Sequence, residues 1–310
     1  MNLFDLHCDT ATRLLSENQG LYQNNFHISL QKTAYLNKYA QVMAVWTNHK
    51  LTDEQGYESF FEVLSNLHNE VKINQKAVEL INSSTQLLNC IDNKKSSLIL
   101  AVEDARILAN DISRLDVLYS NGVKILTLNW SGETCIGGAH NTNIGLSDFG
   151  VEVVKKCFEI GIVPDISHSS FEGAKKVLEI AKEYDKPIVA SHSDSYFVNS
   201  HSRNLPDEYF SDIITLGGLV GINLCPEHLS SNETANINSI VKHIEHFLSL
   251  GGENILAMGG DLDGTNLPDG FEGVQDIYKI ANELQKLNYS EALIDKIMYK
   301  NAFEFFKRNL

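Results

Sequence analysis

Histidines and carboxylates recur in this chain at the ends of short apolar runs, and these are the residue types that bind divalent cations and activate water. His7 and Asp9 lie two apart in Asp5-Leu6-His7-Cys8-Asp9, and Glu103 follows the run Ser97–Val102. His168 ends Asp165-Ile166-Ser167-His168, and His192 follows Ala190-Ser191. Asp261 and Asp263 share Gly259-Gly260-Asp261-Leu262-Asp263-Gly264. Residues two apart on a strand face the same side, so His7 and Asp9 can grip one ion while Cys8 points away. Each group alone is an ordinary loop or core feature; their conjunction is what suggests a centre. Five nitrogen and oxygen ligands with a carboxylate in the middle suit two ions about 3.5–4 Å apart, the spacing of two-metal hydrolytic sites. Nucleophilic catalysis has less support. Ser167 and Ser191 each directly precede a histidine and should face away from it, and no GxSxG elbow exists.

These side chains can meet only if the elements before them converge. Eight nearly uncharged runs read as strands covered on both faces: Leu3–Leu6, Gln41–Trp46, Ser97–Val102, Lys124–Leu128, Val163–Ile166, Ile188–Ala190, Leu219–Asn223 and Ile255–Met258. Amphipathic stretches separate most of them: Glu54–Ile91 with one break, Arg106–Ser120, Gly150–Ile160, Phe171–Glu183, Asp207–Thr215, Ser239–Leu248, Val274–Leu287 and Glu291–Arg308. Eight strands alternating with helices predict an α/β fold of the (β/α)8 TIM-barrel type, a single domain over residues 1–310. In such barrels the active site lies at the C-terminal strand ends, where the residues above fall. The rival open sheet usually brings a glycine-rich nucleotide loop, and neither Gly137-Gly138 nor Gly259-Gly260 has that context.

Composition narrows the partners. Forty acidic against 25 basic residues give a formal charge of −15, which argues against a nucleic-acid or anionic-membrane surface. No stretch is long and apolar enough for a membrane span, and no leader pattern precedes Met1–Leu6. Five scattered cysteines without a CxxC predict reduced thiols, neither a disulfide framework nor a thiolate zinc site. The expected location is therefore the cytoplasm. A homodimer is expected only on the base rate of symmetric assemblies.

Four blocks, in order, resemble the membrane dipeptidase family within the metal-dependent amidohydrolase barrels. They are Val102-Glu103 through Leu115, Tyr119 and Gly122-Val123 to Leu126-Thr127; Gly145-Leu146-Ser147 with Asp165–His168; Ser191-His192-Ser193 with His201–Glu208; and Gly260–Gly264. The resemblance implies a metal-dependent hydrolase in which His7 and Asp9 bind one zinc, Glu103 bridges two, and His168 and His192 bind the other. It further implies that Asp261 is the catalytic aspartate and that Arg203, beside Asn204, binds the substrate's carboxylate. Three positions depart from it: Asp104 stands where relatives usually have glycine, Trp130 where renal enzymes have a histidine, and Cys225 where many have tyrosine.

The expected activity is that of a dipeptidase with two Zn2+ per chain. A water held between two ions loses its proton near neutral pH and attacks the amide carbon. Asp261 would pass the proton to the leaving amine, and Arg203 would clamp a planar carboxylate with two hydrogen bonds. Hydrolysis of N-acyl amino acids, lactams or lactones is the first alternative, and a catalytically inactive small-molecule-binding barrel the second. Several residues keep two readings. Arg203 could instead pair with Asp207 or Glu208. Asp263 is either a turn former or a contact for a substrate ammonium, and Trp130 a pocket wall or plain packing. His140 and His201 read as solvated loop residues, and His243 and His246 as an exposed helix face.

Overall fold

The computed structural model describes residues 1–310 and contains nine parallel strands. They are β1 (Asn2–Cys8), β2 (Lys38–Trp46), β3 (Val78–Ile81), β4 (Ser96–Glu103), β5 (Val123–Thr127), β6 (Val163–Asp165), β7 (Val189–Ala190), β8 (Leu219–Ile222) and β9 (Leu256–Met258). Eight of them close a barrel, because β1 pairs with both β2 and β9 while β2 pairs directly with β4. The sequence reading missed β3, which lies where one break in a long helix was expected, between helices Asp53–Ile73 and Ser84–Asp92. It pairs with Ser96–Ile99 of β4, while β5 takes Leu100–Glu103. A short run with only Val78 and Ile81 buried offers too little periodicity to betray an edge strand.

Register explains where the chemistry sits. The interior residues Ala40, Val42 and Ala44, facing Ile99, Ala101, Ile125, Val163, Val189, Leu219 and Ala257, form an apolar floor. Phe305 and Phe306 plug this floor from below, with Phe4 stacked on Phe306 at 5.0 Å. Deleting a buried phenyl ring of this kind costs about 3–5 kcal/mol, so the plug is a substantial part of the fold's stability. One step further along the strands, Trp46, Glu103, Thr127 and Asp165 stand side by side in register. The interior turns from apolar to polar at that ring. Gly221 and Gly259 are required just beyond it, since a Cβ on either would strike the Ser191 carbonyl oxygen.

In β1 the simple alternation fails. Phe4 and Leu6 belong to the interior floor, yet Cys8 packs outside on Met43. A register shift between Asp5 and Cys8 lets His7 turn inward as well. The Asp5 carboxylate fastens that bulge, accepting from the His7 N–H at 3.0 Å, the Gln41 amide at 3.0 Å and the Gly260 N–H at 2.9 Å. Cys8 thus points away from the site as expected, though the bulge and not plain alternation turns it outward. No helix is long and apolar enough to cross a membrane.

Candidate metal centre

Glu103, at the end of β4 and 2% exposed, is the hub of the barrel mouth. Its Oε2 lies 3.2 Å from His7 Nε2, and its Oε1 lies 3.0 Å from His168 Nε2 and 3.7 Å from His192 Nε2. Donor atoms of His7, Glu103 and His192 fall within 4.8 Å of one another, as do those of His7, Asp9 and Asp261. All five residues expected to be ligands, together with Asp261, therefore converge from four strand ends and the β9 loop. Left-handed backbone makes part of this possible: His168 stands at φ 69° and Asp261 at φ 51°. Such residues are uncommon outside glycine and cost of order 1–3 kcal/mol each. Gly264 completes the loop because a Cβ there would collide with Oδ2 of Asp9 and Oδ1 of Asp261.

Hydrogen-bond polarity shows what this pocket needs. His168 Nδ1 donates to the Trp130 carbonyl at 3.0 Å, so its Nε2 carries a lone pair. Ser191 Oγ donates to Asp165 Oδ2 at 2.5 Å and can therefore only accept from His192 Nδ1, 2.7 Å away. His192 Nε2 is then an acceptor too. The two Nε2 atoms are 2.9 Å apart, lone pair against lone pair, beside a carboxylate oxygen. Asp9 Oδ1 is buried without a partner. A bound cation would satisfy such a set, and imidazole nitrogens with carboxylate oxygens fit zinc and similar divalent ions.

The electrostatics agree. Burial alone would lower the His7 imidazole, but the Glu103, Asp9 and Asp261 carboxylates outweigh it and raise it to about 10. Burial pushes the Asp9 carboxyl well above its usual range, and Glu103 pushes it further. Asp261 rises to about 7 through burial, opposed mainly by His7. Burial lowers His168 to about 4, and the Arg203 charge assists.

Around this centre the structure bears on the open readings. Arg203 is 5% exposed, with Nε and Nη1 lacking any partner and Nη2 only 3.5 Å from the His192 carbonyl. Its alternative partner Asp207 pairs with His246 at 2.8 Å instead. Trp130 packs in an aromatic cluster: it meets Trp46 at 5.2 Å and stacks on His49 at 5.6 Å, while its carbonyl orients His168.

One expected substrate contact, Asp263, needs correction. Asp263 offers nothing to an ammonium, since its carboxylate accepts from Thr10 Oγ1 at 2.5 Å and the His27 N–H at 2.6 Å, with Arg13 at 3.6 Å. It fastens the loop through His27 to the barrel. Asn204 donates its amide N–H groups to the carbonyls of Asn199 and His228, at 2.9 and 2.8 Å, bracing two loops, while its buried Oδ1 has no partner.

The histidine readings also change. His140 is half-buried against His168, with ring centroids 6.0 Å apart, and His201 is likewise half-buried. His243 is fully buried, not on an exposed face: Nδ1 accepts from the Ser195 N–H and Nε2 donates to the Leu229 carbonyl, both at 3.0 Å. Ser191 does not face away from His192, because β7 ends at Ala190 and the chain turns there. Asp104 occupies its glycine-like conformation at φ 79° by holding Arg106 through Nε at 3.2 Å and the backbone N–H at 3.2 Å.

Sequence reasoning gave no role to Trp46, His49, Asp165 or His228. Asp165 and Trp46 had a usable signal, a polar or bulky residue ending an apolar strand. His228 did not. It lies beyond β8 with its ring 4.8 Å from His201, lowered by burial and by Arg203.

Comparison with known proteins gives one consistent result. The model of the membrane dipeptidase family, peptidase family M19, matches residues 1–309. A Schizosaccharomyces pombe protein described as an uncharacterised dipeptidase is 24% identical over 274 residues, which is 82% of this chain and 65% of that protein's length. The crystal structure of dipeptidase AC, a metallopeptidase of family M19, superposes with a TM-score of 0.92 at 22% identity, covering 100% of this chain and 98% of the other. A Rhodobacter sphaeroides metallopeptidase, liganded with a phosphinate mimic of L-Ala-D-Ala, gives 0.92 at 21% identity over 100% and 99%.

Proposed function

The chain belongs to the membrane dipeptidase family of metallopeptidases, and from that premise we propose that it is a zinc-dependent dipeptidase holding two ions per chain at the barrel mouth. The observation that supports this best is the convergence of three imidazole nitrogens on the two oxygens of Glu103, with the Nε2 atoms of His168 and His192 left without protons to share. His7 and Asp9 would hold one ion, His168 and His192 the other, and Glu103 would bridge them. Bound there, divalent ions would supply Lewis acidity, acidifying water and polarising a carbonyl.

The remaining chemistry belongs to side chains. Arg203 presents two unpartnered nitrogens from a buried position, a fork that suits a carboxylate and selects substrates with a free C-terminus. Asp261, 4.0 Å from His7 at the edge of the cluster, is placed to take a proton from the attacking water and return it to the leaving amine. Trp46 and Trp130, packed edge to face beside His168, would line one side of the mouth with aromatic surface. Five free cysteines support a reducing, cytoplasmic setting. The acidic charge supports a small-molecule substrate and no nucleic-acid partner.

The test is hydrolysis of L,L- and L,D-dipeptides by zinc-loaded protein, with and without chelator. Because the Rhodobacter relative binds a mimic of L-Ala-D-Ala, L,D pairs belong in the panel. Chelator-sensitive cleavage is expected. Two bound metals without cleavage of any pair would move the substrate to N-acyl amino acids or cyclic amides.

A further inference from the structure

We propose that Asp165 is a positioning residue that sets the tautomer of His192 through Ser191, and thereby decides whether His192 can ligate a metal at all. The inference rests on the metal-centre reading above. Asp165 is 0% exposed and accepts four hydrogen bonds. Oδ1 takes the N–H groups of Ser167 at 2.9 Å and Ser191 at 3.0 Å, while Oδ2 takes the hydroxyls of Thr127 at 2.6 Å and Ser191 at 2.5 Å. An ionised carboxylate only accepts, so the Ser191 proton must point to Asp165. Its oxygen can then only accept from the His192 ring at 2.7 Å, which puts the proton on Nδ1 and frees Nε2. His168 reaches the same state by a different device, a backbone carbonyl whose polarity no substitution reverses.

That difference makes the relay testable by an isosteric change. In Asp165→Asn the amide oxygen must stay on the Oδ1 side, because two backbone N–H groups face it. The amide NH2 then replaces Oδ2 and donates to Ser191 Oγ. Ser191 in turn donates to His192 Nδ1, and the ring proton moves to Nε2. A ligand becomes a donor with its shape unchanged. A tautomer reversal of this kind in the aspartate of a serine-protease triad costs about 10⁴-fold in turnover with the geometry kept. Loss of an outer partner of a ligating histidine costs about 10–100-fold in metal affinity.

The experiment reads tautomer and zinc separately. Imidazole 15N shifts in metal-free protein, with His192 identified by its loss in His192→Gln, are expected to show Nδ1–H in the wild type and Nε2–H in Asp165→Asn. Titration with Zn2+ alone is expected to give two ions on the wild type and one tight ion on Asp165→Asn, the second weakened by about 100-fold or more. Ser191→Ala removes the relay without reversing it, so the second ion should weaken by only about 10-fold. The double variant Asp165→Asn/Ser191→Ala is expected to bind the second ion better than Asp165→Asn alone, which a merely structural role for Asp165 does not produce. An Nε2–H His192 in the metal-free wild type, or a double variant no better than Asp165→Asn, overturns the proposal. A wild type that binds no zinc overturns the metal reading instead, while the tautomer still reports on the relay.

Discussion

His192 and His243 are both histidines without exposed surface, and they teach opposite things. Both nitrogens of His243 are met by backbone groups, Ser195 N–H and Leu229 C=O, so nothing more can bind there. His192 is met on one side only, and its other nitrogen faces a second acceptor 2.9 Å away. Two residues in the β9 loop repeat the contrast. Asp263 is saturated by Thr10, His27 and Arg13, while Asp261 sits 4.0 Å from His7 with burial holding its carboxyl near neutrality. Burial therefore does not mark a functional polar residue in this molecule. In these two pairs unmet hydrogen-bonding capacity separates the members.

Substitutions on the two sides of this contrast should behave differently, and the largest effect should come from the unmet side. His168→Ala removes a nitrogen from the Glu103 cluster; turnover should fall by more than about 100-fold with one ion lost, as metal analysis and dipeptide assays would show. Unchanged activity would break the contrast at its strongest point. Arg203→Ala should come next, lowering kcat/KM by about 10–100-fold mainly through KM for substrates with a free carboxylate, the loss expected for a charged hydrogen-bond partner. Equal losses on amidated substrates would remove the clamp. Asp263→Ala should instead cost stability, about 2–3 kcal/mol in urea unfolding, because Thr10 and the His27 N–H lose a buried acceptor. Its KM should barely move.

The most gradual effect concerns pH. Burial lowers His243 to about 4, below the ordinary histidine value of 6.5. Between those values the unfolded chain binds a proton that the folded chain refuses, so stability falls as pH drops from 6.5 towards 4 and this contribution is flat outside that window. His243→Gln, which can still accept and donate, should flatten the slope in that interval by on the order of 3 kcal/mol in total. An unchanged slope would assign the acid sensitivity to other buried groups.

Much of the barrel was legible because its strands are short and uncharged while its helices are amphipathic, two periods that the fold must keep apart. All eight barrel strands lie where their apolar runs predicted, whereas β3 was hidden in what read as helix. The residues of the centre were legible for the same reason: His7, Glu103, His168, His192 and Asp261 end or follow such runs. Asp263 and Asn204 were not separable from them. Their types and spacing suit substrate binding equally well, and only long-range partners, 236 residues away in the chain for one bond, show that the Asp263 carboxylate is spent.

The sequence by itself determined which residue types arrive at the barrel mouth, since strand length and alternation are local properties of the chain. Tertiary structure decided which of them are free to act. A carboxylate is available or spent according to donors brought to it from distant strands, and an imidazole's proton sits where a neighbour's hydrogen bond leaves it. Thr10 and His27 closing on Asp263, and Asp165 reaching Ser191 across 26 residues, are such long-range events, and no local pattern encodes them.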